Sequence, residues 1–304
     1  SSGATGDLNT VINALNTLSG DNYDKAIDAL DYNPSGAIDT VAQNQFGNIN
    51  NSISQRLSVL DNDSDLSSLI ALSTSSNNKD LNSYFLADKL RIMKSKGWWG
   101  DINLSSGENK SLNNLGINGF DFNYYGATVG YDALNGEKYK GFAFTFYEGL
   151  IDSHNSEGET SHKTFAISKY QSQKLTSGNN LNINGSFAVI DVNTDRKIKF
   201  ASIDRIAKSN FNNYFIDGSI EYKYMPKLSL GFTHNISLLG DIMLGYQDNF
   251  KESGADSLNL EVNSKQTQTA KIGIKDTIYS SNKNNKNFIP FLSVGLYTSN
   301  HLGD

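Results

Sequence analysis

The chain has 304 residues, 26 Lys+Arg against 32 Asp+Glu for a net charge of −6, and no cysteine. Mild acidity argues against nonspecific nucleic-acid binding, and the missing thiols remove disulfides, thiolate metal sites and Cys nucleophiles together. Mean hydropathy is −0.44, and no apolar run approaches the roughly 18 residues a spanning helix needs, which excludes a helical membrane protein but not a barrel.

The N-terminal third reads as helical. The opening SSGATGDLNT lacks the basic start and apolar core of a signal peptide, so we expect either a removed leader or a longer precursor. Leu8, Val11, Ile12, Leu15 and Leu18 recur at three- and four-residue steps until Ser19-Gly20. Tyr23, Ala26, Ile27 and Leu30 repeat the spacing up to the Asn33-Pro34-Ser35-Gly36 turn. A third helix is predicted from Ala37 to Leu60, striped by Val41, Phe46, Ile49, Ile53, Leu57 and Leu60. A fourth is predicted from Asp80 to Lys94. Residues 1–96 thus form a helical junction, and residues 97–304 a second region of different period.

After Gly97 the apolar residues alternate. Phe120, Phe122 and Tyr124 do so, as do Phe142, Phe144 and Phe146, then Phe165 and Ile167, then Leu181, Ile183, Phe187 and Val189. Further on come Leu228, Leu230 and Phe232, then Ile242, Leu244 and Tyr246, then Ala270, Ile272 and Ile274. Gaps such as Asn135-Gly136-Glu137 and His154 to Glu159 carry turn chemistry, and about ten strand candidates result. Residues 211–224 show the pattern most fully: Ile216, Ile220 and Tyr222 share one parity, and Asp217, Ser219, Glu221 and Lys223 the other. Successive side chains of a strand point to opposite faces, and a bilayer-crossing strand needs about 9–11 residues. This predicts a mainly β, antiparallel transmembrane barrel, with Ile216, Ile220 and Tyr222 toward lipid and Asp217, Ser219, Glu221 and Lys223 lining the pore. Tyr (15) and Phe (16) are abundant, and Trp98, Trp99, Tyr131, Tyr139, Tyr147 and Tyr170 near strand ends suit interfacial girdles. A soluble β-sandwich also has one apolar face per strand and stays open as an alternative.

Four segments together resemble the C-terminal translocator unit of type V autotransporters. They are Ala14 to Tyr23 with the helix ending Gln55-Arg56-Leu57; Gly97-Trp98-Trp99-Gly100; Phe250-Lys-Glu252-Ser-Gly254-Ala255-Asp-Ser-Leu258; and Phe288-Ile-Pro290-Phe-Leu followed by Asn300-His301. The resemblance implies an outer-membrane barrel that helps export its own upstream passenger, assembled by the barrel assembly machinery and embedded in membrane lipids. It implies no nucleic-acid partner and no cofactor. Family barrels have about twelve strands and end in an aromatic residue. By that comparison roughly three closing strands are missing before Asp304, and the expectation is a fragment of a longer chain. A helix from the junction, either Ala37 to Leu60 or Asp80 to Lys94, would thread the lumen; in the first, Arg56 and the neighbouring Gln43, Asn44, Asn48, Asn50 and Asn51 would meet groups such as Asp217 or Glu221.

The resemblance also bears on Asn50-Asn51. Some family members cut themselves at such a pair through cyclisation of the first Asn, which needs a nearby desolvated acid. Asn-Asn recurs at 77, 113, 179, 212 and 284, so a purely structural pair is the competing reading. No other catalytic set is visible: phosphate loop, GxSxG elbow and dinucleotide turn are all missing. The histidines 154, 162, 234 and 301 are scattered. His154 and His162 flank Glu157 and Glu159 without tetrahedral ligand spacing, which reads as a solvated loop rather than a metal site. The remaining function classes are a surface adhesin, a diffusion porin, which would begin directly with strands, and a soluble interaction module.

Overall fold

The computed structural model describes residues 6–30, 35–61, 97–110, 119–136, 138–154, 158–175, 178–224, 232–280 and 291–301. Three helices come first: α1 (Asp7–Asn16), α2 (Asp21–Leu30) and α3 (Ser35–Asp61). The predicted helix from Asp80 to Lys94 lies outside the described residues. The strands follow as β1 (Gly97–Asn109), β2 (Phe120–Asn135), β3 (Lys138–Ser153), β4 (Glu159–Lys174), β5 (Asn180–Phe200), β6 (Ile203–Tyr224), β7 (Phe232–Gln247), β8 (Phe250–Lys251), β9 (Glu261–Val262), β10 (Lys265–Ser280) and β11 (Phe291–His301).

Nine of these form one antiparallel sheet in the order β1-β2-β3-β4-β5-β6-β7-β10-β11, while β8 and β9 pair as a small separate ribbon. Every neighbour in the large sheet is also the next sheet strand in sequence, so the sheet is a meander built from hairpins. It curls around α3, which touches β1 through β7 and reaches β10 as well. Of the predicted strand candidates at Leu228–Phe232 and Ile242–Tyr246, the second lies within β7. Phe232 already opens β7, which runs on through Tyr246, and 228 and 230 lie outside the described residues.

The outer face is apolar over a band and polar beyond it, and β5 and β6 show where the band ends. On β5, Ile183 and Phe187 are exposed apolar residues facing out, while Asn182, Asn184 and Ser186 are buried inside. Past Val189 the faces exchange character: Asp191, Asn193, Lys197 and Lys199 face out, and Ile190, Val192, Ile198 and Phe200 face in. On β6 the change falls between Asn212 and Tyr214, and the register pairs those residues with Asp191 and Val189. From Tyr214 to Tyr224 the strand takes ten steps of about 3.3 Å, which at a tilt of about 40° rise about 25 Å, the apolar height of an outer-membrane barrel.

Aromatic side chains edge this band. Trp98, Tyr131 and Phe142 cluster on the outside at one border, with Trp98 and Tyr131 ring centroids 5.4 Å apart. Tyr214 and Tyr246 lie at the other. The predicted girdle needs correction at four positions. Trp99 is 4% exposed against 62% for Trp98, Tyr147 and Tyr170 are also buried on the inner face, and Tyr139 is half-buried against the same core. Neighbours in a strand take opposite faces, so Trp98 and Trp99 cannot both face outward. The stripe Phe120-Phe122-Tyr124 is likewise internal, where it packs with Tyr147 and Ile151 under α3.

Beyond the band, the β5–β6 hairpin carries a second core. Val11 and Ala14 of α1 and Ala26 of α2 pack on Ile198, Phe200, Ile203 and Ala207, with Ala255 from the 250–262 segment. Two arginines hold this cap. Arg196 is fully buried, paired with Glu252 (Nη2–Oε2 2.5 Å), and donates to the carbonyls of Ala29 and Leu258. Arg205 pairs with Asp7 and donates to the Ala255 carbonyl.

Candidate functional site

The interior of the curled sheet is filled by α3, and the two are bonded rung by rung. At its N-terminal end Asp39 accepts from Lys265 and Thr267, and Gln43 donates to Thr269 at 3.4 Å, all on β10. One turn on, Gln45 accepts from Thr164 of β4 and Asn48 donates to the Tyr124 hydroxyl of β2. Asn50 Nδ2 donates to Asp217 Oδ1 (3.1 Å, β6) and Asp241 Oδ2 (3.0 Å, β7), while its Oδ1 accepts from Asn184 of β5 at 2.5 Å. Ser52 donates to Asp101 of β1 and Ser54 to Glu221 of β6 (2.7 Å). Arg56 closes the series with Asp132 of β2.

The apolar side of α3 is buried too. Ile38, Val41, Phe46, Ile49, Ile53 and Leu57 all pack in the main core, Phe46 edge-on to Phe215 of β6 with centroids 6.4 Å apart. A helix buried all round with polar residues on one side needs a wall offering matching partners, because an unpaired buried polar group costs about 1–3 kcal/mol. This wall offers them. Glu221 illustrates the match: it accepts from Ser54 and Asn182, lies 3.4 Å from Lys223 Nζ and 3.7 Å from Lys275 Nζ, and Lys223 donates to the Ser54 carbonyl.

The residues singled out from the sequence fall as follows. Asp217, Glu221 and Lys223 are buried on the inner face, with Ser219 half-buried beside them. Ile216 is 58% and Ile220 48% exposed on the outer face, and Tyr222 is half-buried there with its hydroxyl accepting from Asn179 at 2.6 Å. Asn50 meets Asp217. Arg56 does not meet Asp217 or Glu221 but Asp132, and Asn44 bonds within its own helix to the Thr40 carbonyl. Asn51 is half-buried next to Asn50. Of the histidines, His162 is buried in the interior beside Tyr124. His154 lies near Asp121 and Glu108. Glu157 and the side chains at 234 and 301 lie outside the described residues. Sequence reasoning missed Asp101, Asp132 and Asp241. Each is a lone carboxylate on the parity opposite an outward apolar row, and that parity was the available signal.

A family model, the autotransporter β-domain, matches residues 98–300. The chain belongs to the autotransporter β-domain family. The fold agrees with that of a solved translocator domain. That of the autotransporter NalP from Neisseria meningitidis aligns with a TM-score of 0.51 at 12% identity, over 68% of this chain and 77% of that one. The β domain of the Bordetella autotransporter BrkA aligns at 0.48 and 11%, over 68% and 81%. No curated protein sequence matches the chain. This autotransporter β-domain is an outer-membrane translocator barrel, and it serves the export of a passenger domain to the bacterial cell surface.

Proposed function

We propose that α3 is the tether of the exported passenger, held in the pore of the barrel after translocation. One observation carries this: α3 bonds through polar side chains to strands from β1 to β10 in a single descending series. A helix of 27 residues is about 40 Å long, enough to cross the outer membrane. On this reading Asp217, Ser219, Glu221, Lys223 and Arg56 line the pore, and Ile216, Ile220 and Tyr222 face lipid. The helical junction spans 1–96 and the barrel 97–304. The α1–α2 cap, upstream of the tether and on the extended β5–β6 hairpin, then stands at the cell surface. Membrane lipids around the apolar band and the barrel assembly machinery are the partners this placement requires. Single-channel recording tests the tether. The intact chain conducts poorly, and a variant lacking 35–61 opens a stable, larger conductance; equal conductance from both would overturn the assignment.

A second reading concerns Asn50. Its amide nitrogen already donates to two interior carboxylates, Asp217 and Asp241, and its oxygen accepts from Asn184. That arrangement suits intramolecular cyclisation. Nδ2 gives a proton to a carboxylate and attacks the Asn50 carbonyl carbon, the Asn50–Asn51 bond breaks, and the proton passes to the Asn51 amine, leaving a succinimide that water opens. The competing role is that of a structural rung. Mass spectrometry of protein recovered from outer membranes decides between them: cleavage gives a chain starting at Asn51 in wild type but not in Asn50→Ala or Asp217→Asn, and an uncut wild type refutes the chemistry.

A further inference from the structure

Above the apolar band, the outer rim carries charge that export does not call for. Glu108, Asp121, Asp152, Glu159 and Asp195 are direct cross-strand partners in succession from β1 to β5. Like charges directly opposite on neighbouring strands repel. Lys208 faces the last of them, 3.0 Å from Asp195. The other end of the row is different in kind, because an imidazole joins it.

His154 follows directly on β3, and its backbone N–H donates to the Gly119 carbonyl at 2.9 Å, which fastens it beside the start of β2. Its Nε2 lies 3.3 Å from Asp121 Oδ1. One ligand atom each from Glu108, Asp121 and His154 all lie within 4.8 Å of one another. Ligands about 2.0–2.1 Å from a tetrahedral zinc stand about 3.3 Å apart, so the His154–Asp121 edge already has coordination spacing, and a Glu108 oxygen stands within 4.8 Å of both. A nitrogen with two carboxylate oxygens favours a borderline ion over magnesium or calcium, which prefer oxygen alone.

We propose that Glu108, Asp121 and His154 form a surface site for a divalent cation of the zinc class, bound by His154 Nε2 and one oxygen from each acid, with the remaining position open to water. Two ligands come from β1 and β2 and the third from the residue just after β3, so the ion cross-links the outer rim and offsets the repulsion at this end of the acidic row.

Isothermal titration of the full-length barrel in detergent with zinc chloride tests this. We expect one saturable equivalent, an affinity at least tenfold weaker in His154→Ala and in Asp121→Asn, and no change in Asp195→Asn at the far end of the row. Zinc should raise the thermal midpoint of wild type but not of His154→Ala. Far-UV circular dichroism confirms that each variant is folded; all three positions are exposed and outside the core. No saturable binding, or binding unaltered by His154→Ala, overturns the site. Calcium binding that survives His154→Ala does too, since it assigns the ion to the acidic row alone.

Discussion

Arg56 of α3 and Asp132 of β2 form a buried two-point ion pair, Nε to Oδ2 at 2.7 Å and Nη2 to Oδ1 at 2.9 Å, with both side chains at most 1% exposed. The carboxylate is held from behind as well. The Tyr170 hydroxyl reaches Oδ2 at 3.3 Å, and Trp99 Nε1 donates to that hydroxyl at 2.7 Å. One helix residue is thereby fixed to β1, β2 and β4 at once. Removing the arginine strands a buried carboxylate, which costs about 3–5 kcal/mol, whereas replacing both partners with apolar residues is often close to neutral. Arg56→Ala should therefore lower the thermal midpoint sharply and raise resting conductance. The double variant Arg56→Met, Asp132→Leu should recover most of the stability. A single variant with unchanged midpoint and conductance would remove this pair from the account of the closed pore.

The outer face predicts a contrast between neighbouring heights of one wall. Ile220 lies within the apolar band, so Ile220→Arg should cost about 2–4 kcal/mol in a bilayer, the range for a cation near the midplane on a lipid-facing position. Asp191, past the border on β5, is on the polar part of the same face, and Asp191→Lys should stay within about 0.5 kcal/mol. Urea unfolding in vesicles reads both. Equal costs would mean that the border between Val189 and Asp191 is not the membrane edge.

Much of this wall was legible because alternation survives translation into structure. The parity of residues 211–224 reappears on β6 with Asp217, Glu221 and Lys223 inside and Ile216 and Ile220 outside. The stripe Phe120-Phe122-Tyr124 shows the limit of that signal. Period two separates two faces but does not say which is inner, and here the inner face must itself be apolar where Phe46 and Ile49 of α3 press against it. The third helix was readable at Ala37–Leu60, within two residues of α3 at its N-terminal end. Its partners were not. Arg56 reaches Asp132 rather than Asp217 or Glu221 because partner choice follows from sheet register and helix rotation, which no local pattern encodes. The cap was out of reach for the same reason, since Arg196 and Glu252 are 56 residues apart in sequence.

The cap should fail in acid before the barrel does. Asp7 accepts from Arg205 and from the backbone and hydroxyl of Ser257, and these bonds, Arg205 first, hold its carboxyl well below the usual range. A carboxylate with a depressed folded value contributes stability that is complete above its unfolded value of about 3.9 and fades as pH falls below it. The protection factors of α1, exchange rates divided into the intrinsic rate at each pH, should therefore be constant from pH 7 to 5 and fall only below about pH 4. In Asp7→Asn protection should be lower at pH 7 and nearly flat with pH. Acid loss of protection retained in Asp7→Asn would assign the effect to another carboxylate.

Chemical cross-linking can ask whether α3 occupies the lumen in a living outer membrane, and the absence of cysteine from the sequence makes the background clean. Ser52 donates a hydrogen bond to Asp101 of β1, so thiols at these two positions lie within reach of a short bifunctional reagent. Ser52→Cys with Asp101→Cys should link efficiently in intact cells, and peptide mapping should recover the α3–β1 pair. Ser52→Cys with Thr298→Cys should not, because Thr298 is exposed on β11, a strand with no bond to α3 among the described residues. If the passenger is still crossing, the lumen holds a different segment, so the first pair should link only after export is complete. Pulse-labelled cells sampled over time separate these states. Linking at the earliest time would mean that α3 enters the barrel before the passenger crosses, and its role would then be that of a plug present during assembly.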